Sequence, residues 1–399
     1  MKLLLFLLLL VLPILSNAQD TWSIKDSVNG APRSVSSSFV LGGEAYIVGG
    51  LDENGFRRKM YSYTFSQDDW DQEESLGGLN GSGLNRGSAC AFTIGSKSYV
   101  CLGQGDLNGF FQDTWEYDLV TQTWAQKADF AGGQRRQAAC FVIDNVPYVG
   151  TGIAPDGLKK DMYKYDYVTN SWTQIADFGG TARKEAAAFQ MGAQGYMGTG
   201  DDGIMRDDFW QYEPTSDTWT QKANFPGTAR KGAAAWGIFP SGFICTGEDI
   251  NFTYTSDLWE YNYYTDSWMQ RANFIGPGRT NAIAFVLNDI AFVGTGFNGE
   301  FLDDLYAYNR VLETSETDKI TFSIYPNPAT NSVSIKLDEV NTEISISTAD
   351  GKKINTDIHL SNSFEGYTFE RNELPAGTYF VSISSKEGNR TSVQKIIFQ

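Results

Sequence analysis

A chain of 399 residues is long enough for one large domain and a smaller second one. Its 10 Trp, 20 Tyr, 26 Phe and 41 Gly, with only 20% charged residues, favour short strands and tight turns over long charged helices. A net charge of −17 repels phosphate backbones and anionic membrane surfaces, which sets nucleic acid aside as a partner.

Residues 1–18, MKLLLFLLLLVLPILSNA, carry Lys2, an apolar run from Leu3 to Leu15 and the small residues Ser16-Asn17-Ala18. That order is an export signal, cut between Ala18 and Gln19. A spanning anchor needs about 20 apolar residues. This run is shorter, and no later segment supplies one. An exported chain without a membrane span is expected.

Between residues 19 and 310 one phrase recurs. An aromatic residue opens a motif ending in Gly six times: YIVGG (46–50), YVCLG (99–103), YVGTG (148–152), YMGTG (196–200), FICTG (243–247) and FVGTG (292–296). An Arg stands 13 residues before each aromatic, at Arg33, Arg86, Arg135, Arg183, Arg230 and Arg279. A Trp follows 23 to 25 residues after five of the aromatics, at Trp70, Trp124, Trp172, Trp219 and Trp268. A Gly-punctuated, strand-rich unit of 47 to 54 residues has the period of a propeller blade. Each unit divides into four strands, expected in the fourth unit over 183–190, 195–200, 208–212 and 218–223.

The sixth unit has Arg279, Phe292 and the run DLYAYN (304–309), but no Trp follows. The orphan Trp22, in TWSIKD (21–26), lies 11 residues before Arg33, the same interval as in four later repeats. The N-terminal strand is therefore expected to complete the sixth blade and remove a free sheet edge. The predicted fold is all-β, with a six-bladed propeller over 19–310. The succession of Arg, aromatic with Gly-Gly or Thr-Gly, Tyr and Trp resembles the kelch repeat. One departure is that the glycine pair appears only as Gly49-Gly50, with Thr-Gly in later blades.

Cys101 and Cys245 fall two residues after the strand-two aromatic, and Cys90 and Cys140 fall in strand one among small residues. Crowded positions near a propeller axis suit Cys as a small hydrophobe, so buried reduced thiols are expected.

The polar, acidic stretch VLETSETDK (311–319) ends the blade pattern and reads as a linker. Over 320–399, alternating strands are broken by Asp350-Gly351, Glu365-Gly366, Pro375-Ala376-Gly377 and Glu387-Gly388, the pattern of a small β-sandwich of about seven strands. The runs YPNPATNSVSI (325–335), ISISTADGKKI (344–354), LPAGTYFVSI (374–383) and KIIFQ (395–399) resemble the C-terminal sorting domain of the type IX (Por) secretion system. The resemblance implies signal-peptide export through the periplasm of a Gram-negative bacterium. Handling by the type IX machinery follows, with cleavage near the linker and release or attachment at the cell surface.

Counting removes several chemistries. The single histidine, His359, lies in the tail, so a Ser-His-Asp relay, a His-ligated zinc or a two-His copper site lacks ligands in the propeller. No GxxxxGK[ST] run is present. The acidic pairs Asp201-Asp202 and Asp207-Asp208 lack EF-hand spacing and read as solvated turns. No metal or cofactor is expected.

The six Arg residues fall where strand one begins, so they are expected to ring one mouth of the central channel, joined by Arg136, Lys184 and Lys231. Arginine forks suit carboxylates and sulfates, so an anionic glycan or protein ligand fits that mouth. The competing reading is structural, with each Arg satisfying loop carbonyls and neighbouring acids. Long loops at 105–113 and 247–257 surround the mouth. Binding without redox or hydrolytic chemistry is the leading reading. The architecture also resembles secreted sialic-acid mutarotases, for which Glu185 and Glu248 are the candidate acids. A third reading is an adhesin or matrix component.

Overall fold

The computed structural model describes residues 20–310, apart from 79, 80, 82, 83, 107 and 108. It also describes 322–399, apart from 338–341, 350, 355–358, 361–366, 372, 373 and 386–390. The export signal, the Ala18/Gln19 cleavage point and the 311–319 linker lie outside the described residues.

Six four-stranded antiparallel sheets form the first domain. Blade one is Ser37–Leu41, Glu44–Val48, Met60–Thr64 and Asp69–Glu73, and blade two is Cys90–Ile94, Lys97–Cys101, Thr114–Asp118 and Thr123–Lys127. Blade three is Ala139–Ile143, Val146–Gly150, Met162–Asp166 and Ser171–Ile175, and blade four is Ala187–Met191, Gln194–Gly198, Phe209–Glu213 and Thr218–Lys222. Blade five is Ala234–Ile238, Ser241–Cys245, Leu258–Asn262 and Ser267–Gln270. Blade six joins Ile283–Leu287, Ile290–Gly294 and Leu305–Asn309 to the N-terminal strand Thr21–Lys25. Trp22 stands opposite Tyr308 in that ladder, so the two ends of the domain share one sheet.

Burial explains the sequence of each strand. In blade four, strand one alternates, with Ala187, Phe189 and Met191 buried. Strand two is covered on both faces by neighbouring blades and is buried from Gly195 to Gly198. Strand four is the outer edge and is largely exposed apart from its half-buried Trp219. Blades meet through aromatic clusters, such as Phe141 and Tyr148 of blade three against Met197 and Tyr212 of blade four.

The Trp of each strand four is also a fastener. Its indole N–H donates to a backbone carbonyl just beyond the outer strand of the preceding blade. The pairs are Trp70 to Asp26, Trp124 to Glu74, Trp172 to Ala128, Trp219 to Ala176, Trp268 to Ala223, and Trp22 to Ala272. Trp22 therefore performs in blade six what the other five perform elsewhere.

Strand one of blade four begins at Ala187, later than 183–190 anticipates. The delay is physical. Val35, Ser88, Gln137, Glu185, Gly232 and Asn281, each two residues after a repeat Arg, all have positive φ, between 50° and 60°. That turn aims each N–H at the neighbouring blade. Ser88 donates to Val35 O at 2.8 Å, Gln137 to Ser88 O at 3.0 Å and Glu185 to Gln137 O at 3.0 Å. Gly232 donates to Glu185 O at 3.1 Å, Asn281 to Gly232 O at 2.8 Å and Val35 to Asn281 O at 3.3 Å. The six bonds close into one main-chain ring, which counts six blades independently of the sheets.

The tail is a sandwich of a four-stranded and a three-stranded sheet. Its core is Val333, Ile335, Ile346, Phe369, Val381, Ile383, Ile396 and Phe398. It touches the propeller at hairpin turns on the blade ends opposite the arginines. Tyr264 Oη lies 2.6 Å from Ser382 Oγ, and Lys352 Nζ lies 3.8 Å from Asp144.

Candidate functional site

The repeat arginines are not on the surface of the mouth. All six are at most 2% exposed. Five hold an Asp that immediately precedes strand three of the same blade: Arg86 to Asp113 at 2.6 Å, Arg135 to Asp161 at 2.8 Å, Arg183 to Asp208 at 2.5 Å, Arg230 to Asp257 at 2.6 Å, and Arg279 to Asp304. Each also donates to the carbonyl 16 residues later, at Leu102, Thr151, Thr199, Thr246 or Thr295. Arg33 donates to Gly49 O and lies 5.0 Å from the Tyr61 ring centre, with Lys59 where the other blades carry Asp. Burial raises the Asp208 carboxyl, but the hydrogen bonds from Arg183 and Trp210 outweigh it and hold it below the ordinary range. These contacts use the guanidinium forks internally and correct the expectation that the six present them to a ligand.

Three of the residues that follow a repeat Arg are basic and part-exposed. Arg136, Lys184 and Lys231 each bridge to the first residue row of the long loop in their own blade, at Ile153, Asp201 and Glu248. Lys184 Nζ lies 3.4 Å from Asp201 and Lys231 Nζ 3.7 Å from Glu248, all four part-covered. Arg136 donates to Gln104 Oε1 of blade two and lies 5.1 Å from the Phe110 ring centre.

On the axis, the main-chain ring and the residues that follow it line an open cavity of about 150 Å³. Ser36, Ser88, Gln137, Glu185 and Asn281 are its polar lining, and Val35, Gly232 and alanines complete it. Burial pushes the Glu185 carboxyl up, while Lys231, Lys184 and a hydrogen bond with Asn281 oppose the rise. Gln137 Oε1 is buried without a hydrogen-bond partner. Glu185 thus stands in the pit, whereas Glu248 is buried beside Lys231 and is not part of the lining.

The charges nearly cancel: Arg136, Lys184 and Lys231 against Asp201, Glu248 and Glu185. Beside the Lys231–Glu248 pair the loops of blades five and six are aromatic, with Phe297 against Phe301 at 5.3 Å and Tyr254 at 6.3 Å. Exposed Ile204, Ile250 and Phe252 stand on the loops of blades four and five. Asp201 and Asp202 spend their oxygens on turn N–H groups and Arg206. Among the described residues no group of three His, Cys, Asp or Glu side chains is placed to hold a metal.

Ser88, Gln137 and Asn281 escaped the sequence reading. Their signal is a column two residues after each Arg, visible only as position because its side chains are chemically unlike.

The family described as the KLHDC2/KLHL20/DRC7 Kelch-repeats domain matches residues 37–238, just over half of the chain. The chain belongs to the kelch-repeat family. Its C-terminal residues 323–399 match the secretion system C-terminal sorting domain, which marks this kelch protein for type IX export to the cell surface or medium. Among the described residues no helix is long and apolar enough to cross a membrane. The solved structure titled "Structure of YjhT" superposes with a TM-score of 0.60 at 17% identity, covering 71% of this chain and 96% of that one. At that identity the likeness shows the kelch propeller fold alone. A search of curated proteins finds no match.

Proposed function

We propose that this exported kelch propeller is a binding module that takes the anionic group of a glycan or protein ligand into the channel mouth through Lys184, Lys231 and Arg136. The observation that carries this reading is the open cavity of about 150 Å³, with an unpartnered acceptor at Gln137 and a carboxyl of raised affinity for protons at Glu185. A ligand carboxylate would meet the ammonium groups while its hydroxyl or amide donors meet Gln137 and Glu185. Ammonium groups only partly covered by Asp201 and Glu248 retain donors for such a ligand. The six buried arginines act as blade fasteners in this reading. A glycan array and pull-downs with secreted full-length protein test it. Lys184→Ala with Lys231→Ala should lower affinity at least about tenfold, as the loss of one charge-assisted hydrogen bond implies. Unchanged binding by the double variant would move the function away from the mouth, toward adhesion through the outer surface.

A second reading rests on Glu185 alone. A carboxyl whose proton affinity is raised by burial, beside two ammonium groups, is suited to acid/base transfer at a sugar ring, as a mutarotase-like enzyme requires. NMR of anomer exchange in N-acetylneuraminate tests it, and an exchange rate unaltered by the protein rejects it.

A further inference from the structure

Three of the four cysteines meet in one place. Cys90 opens strand one of blade two and stands opposite Cys101 of strand two. Both face blade three, from which Cys140 projects back into the same apolar cluster beside Phe92, Tyr99 and Tyr165. The Cys90 thiol donates to Ala138 O of blade three at 3.5 Å, and the Cys140 thiol donates to Ala91 O of blade two at 3.5 Å. The two side chains therefore cross the blade boundary in opposite directions, and Cys90 lies close enough to both other thiols for them to influence its titration. Cys245 lies apart, in the cluster between blades five and six.

We propose that the exported protein is stapled across blades two and three by a Cys90–Cys140 disulfide, leaving Cys101 and Cys245 as thiols. Export carries the chain into surroundings where neighbouring thiols pair. Cys90 and Cys101 leave one sheet face side by side, whereas Cys90 and Cys140 approach from facing sheets, the convergence a bridge needs. The oxidant is a disulfide-bearing oxidoreductase of the export compartment. The Cys90 thiolate attacks its S–S bond, forming a mixed disulfide and releasing one oxidant thiolate. The Cys140 thiolate then attacks the Cys90 sulfur, closing the bridge and releasing the second. The protein's pair gives up two protons and two electrons, and the oxidant's disulfide becomes a dithiol.

Timing follows from burial. The adjacent Cys101 thiol and burial push the Cys90 thiol well above its usual range, and contact with Cys90 and burial do the same to Cys140. Little thiolate exists once the blades close, so exchange belongs to the folding chain, and the finished bridge is shielded from reductants.

Full-length protein collected after secretion, alkylated in denaturant without reductant and mapped by mass spectrometry, tests this. The expected result is alkylation at Cys101 and Cys245 only, with one Cys90–Cys140 linked peptide pair. Cys245→Ser should leave a single alkylated site. Cys90→Ser should leave three. Four alkylated cysteines in the unaltered protein, or a Cys90–Cys101 link, overturn the proposal.

Discussion

Asp208 shows what the repeat arginines do. Arg183 is fully buried, so removing its carboxylate partner strands a guanidinium inside blade four. Asp208→Ala should cost about 3–5 kcal/mol, the scale for breaking a buried pair, read as a lower midpoint in urea unfolding. Glu185 behaves in the opposite sense. Its folded-state carboxyl is raised, so the stability it contributes is present at low pH and lost as pH rises through the folded value. Glu185→Gln should therefore unfold at the same temperature as the unaltered protein near pH 4 and at a higher one near pH 7. The same protonation leaves the pit with one surplus positive charge, given Lys184, Lys231 and Glu248 around it. Anionic ligands should then bind more tightly as pH falls toward 5, and Glu185→Gln should flatten that dependence in a titration series. The Arg column was legible in the sequence; its partners were not. Arg and Asp stand 25 to 27 residues apart in the five paired blades, and nothing in that interval says that they touch. The ring column was invisible for another reason, since its contacts are main-chain and its side chains share no chemistry.

Strand assignments were more legible, because each is set by a period-two burial pattern and a turn. The N-terminal strand is the strongest case. Trp22 donates to Ala272 O and packs on Phe274 at 5.0 Å and Tyr308 at 4.9 Å, as the spacing to Arg33 anticipated. Trp22→Ala should cost about 3 kcal/mol, the lower end for a large aromatic because this one is half-buried. Thermal unfolding followed by circular dichroism should show the loss. Removing 19–26 altogether should expose the edge of Leu305–Asn309 and give concentration-dependent aggregation, visible by light scattering. Where the strand reading slipped, at the start of strand one, the cause was the left-handed residue two positions after each Arg. Periodicity carries no signal for such a residue when it is Val, Gln or Glu.

For the whole molecule, the two domains were legible because their repeat grammars differ, and all the elements that close the ring precede residue 310. Deleting 320–399 should leave a cooperatively folding propeller that no longer reaches the surface or the medium. Cell fractionation and circular dichroism measure the two halves of that outcome, and normal display of the truncated protein would remove the sorting role. The main-chain ring has a further consequence for how such a protein diversifies. Six N–H···O=C bonds hold the collar, so its closure does not depend on what side chain each position carries. The positions now filled by Val35, Ser88, Gln137, Glu185 and Asn281 are sockets open to other side chains that tolerate positive φ, whereas a Cβ at Gly232 would collide with Thr280 Oγ1. Ligand preference can therefore be rewritten at those sockets while the main-chain collar stays as it is.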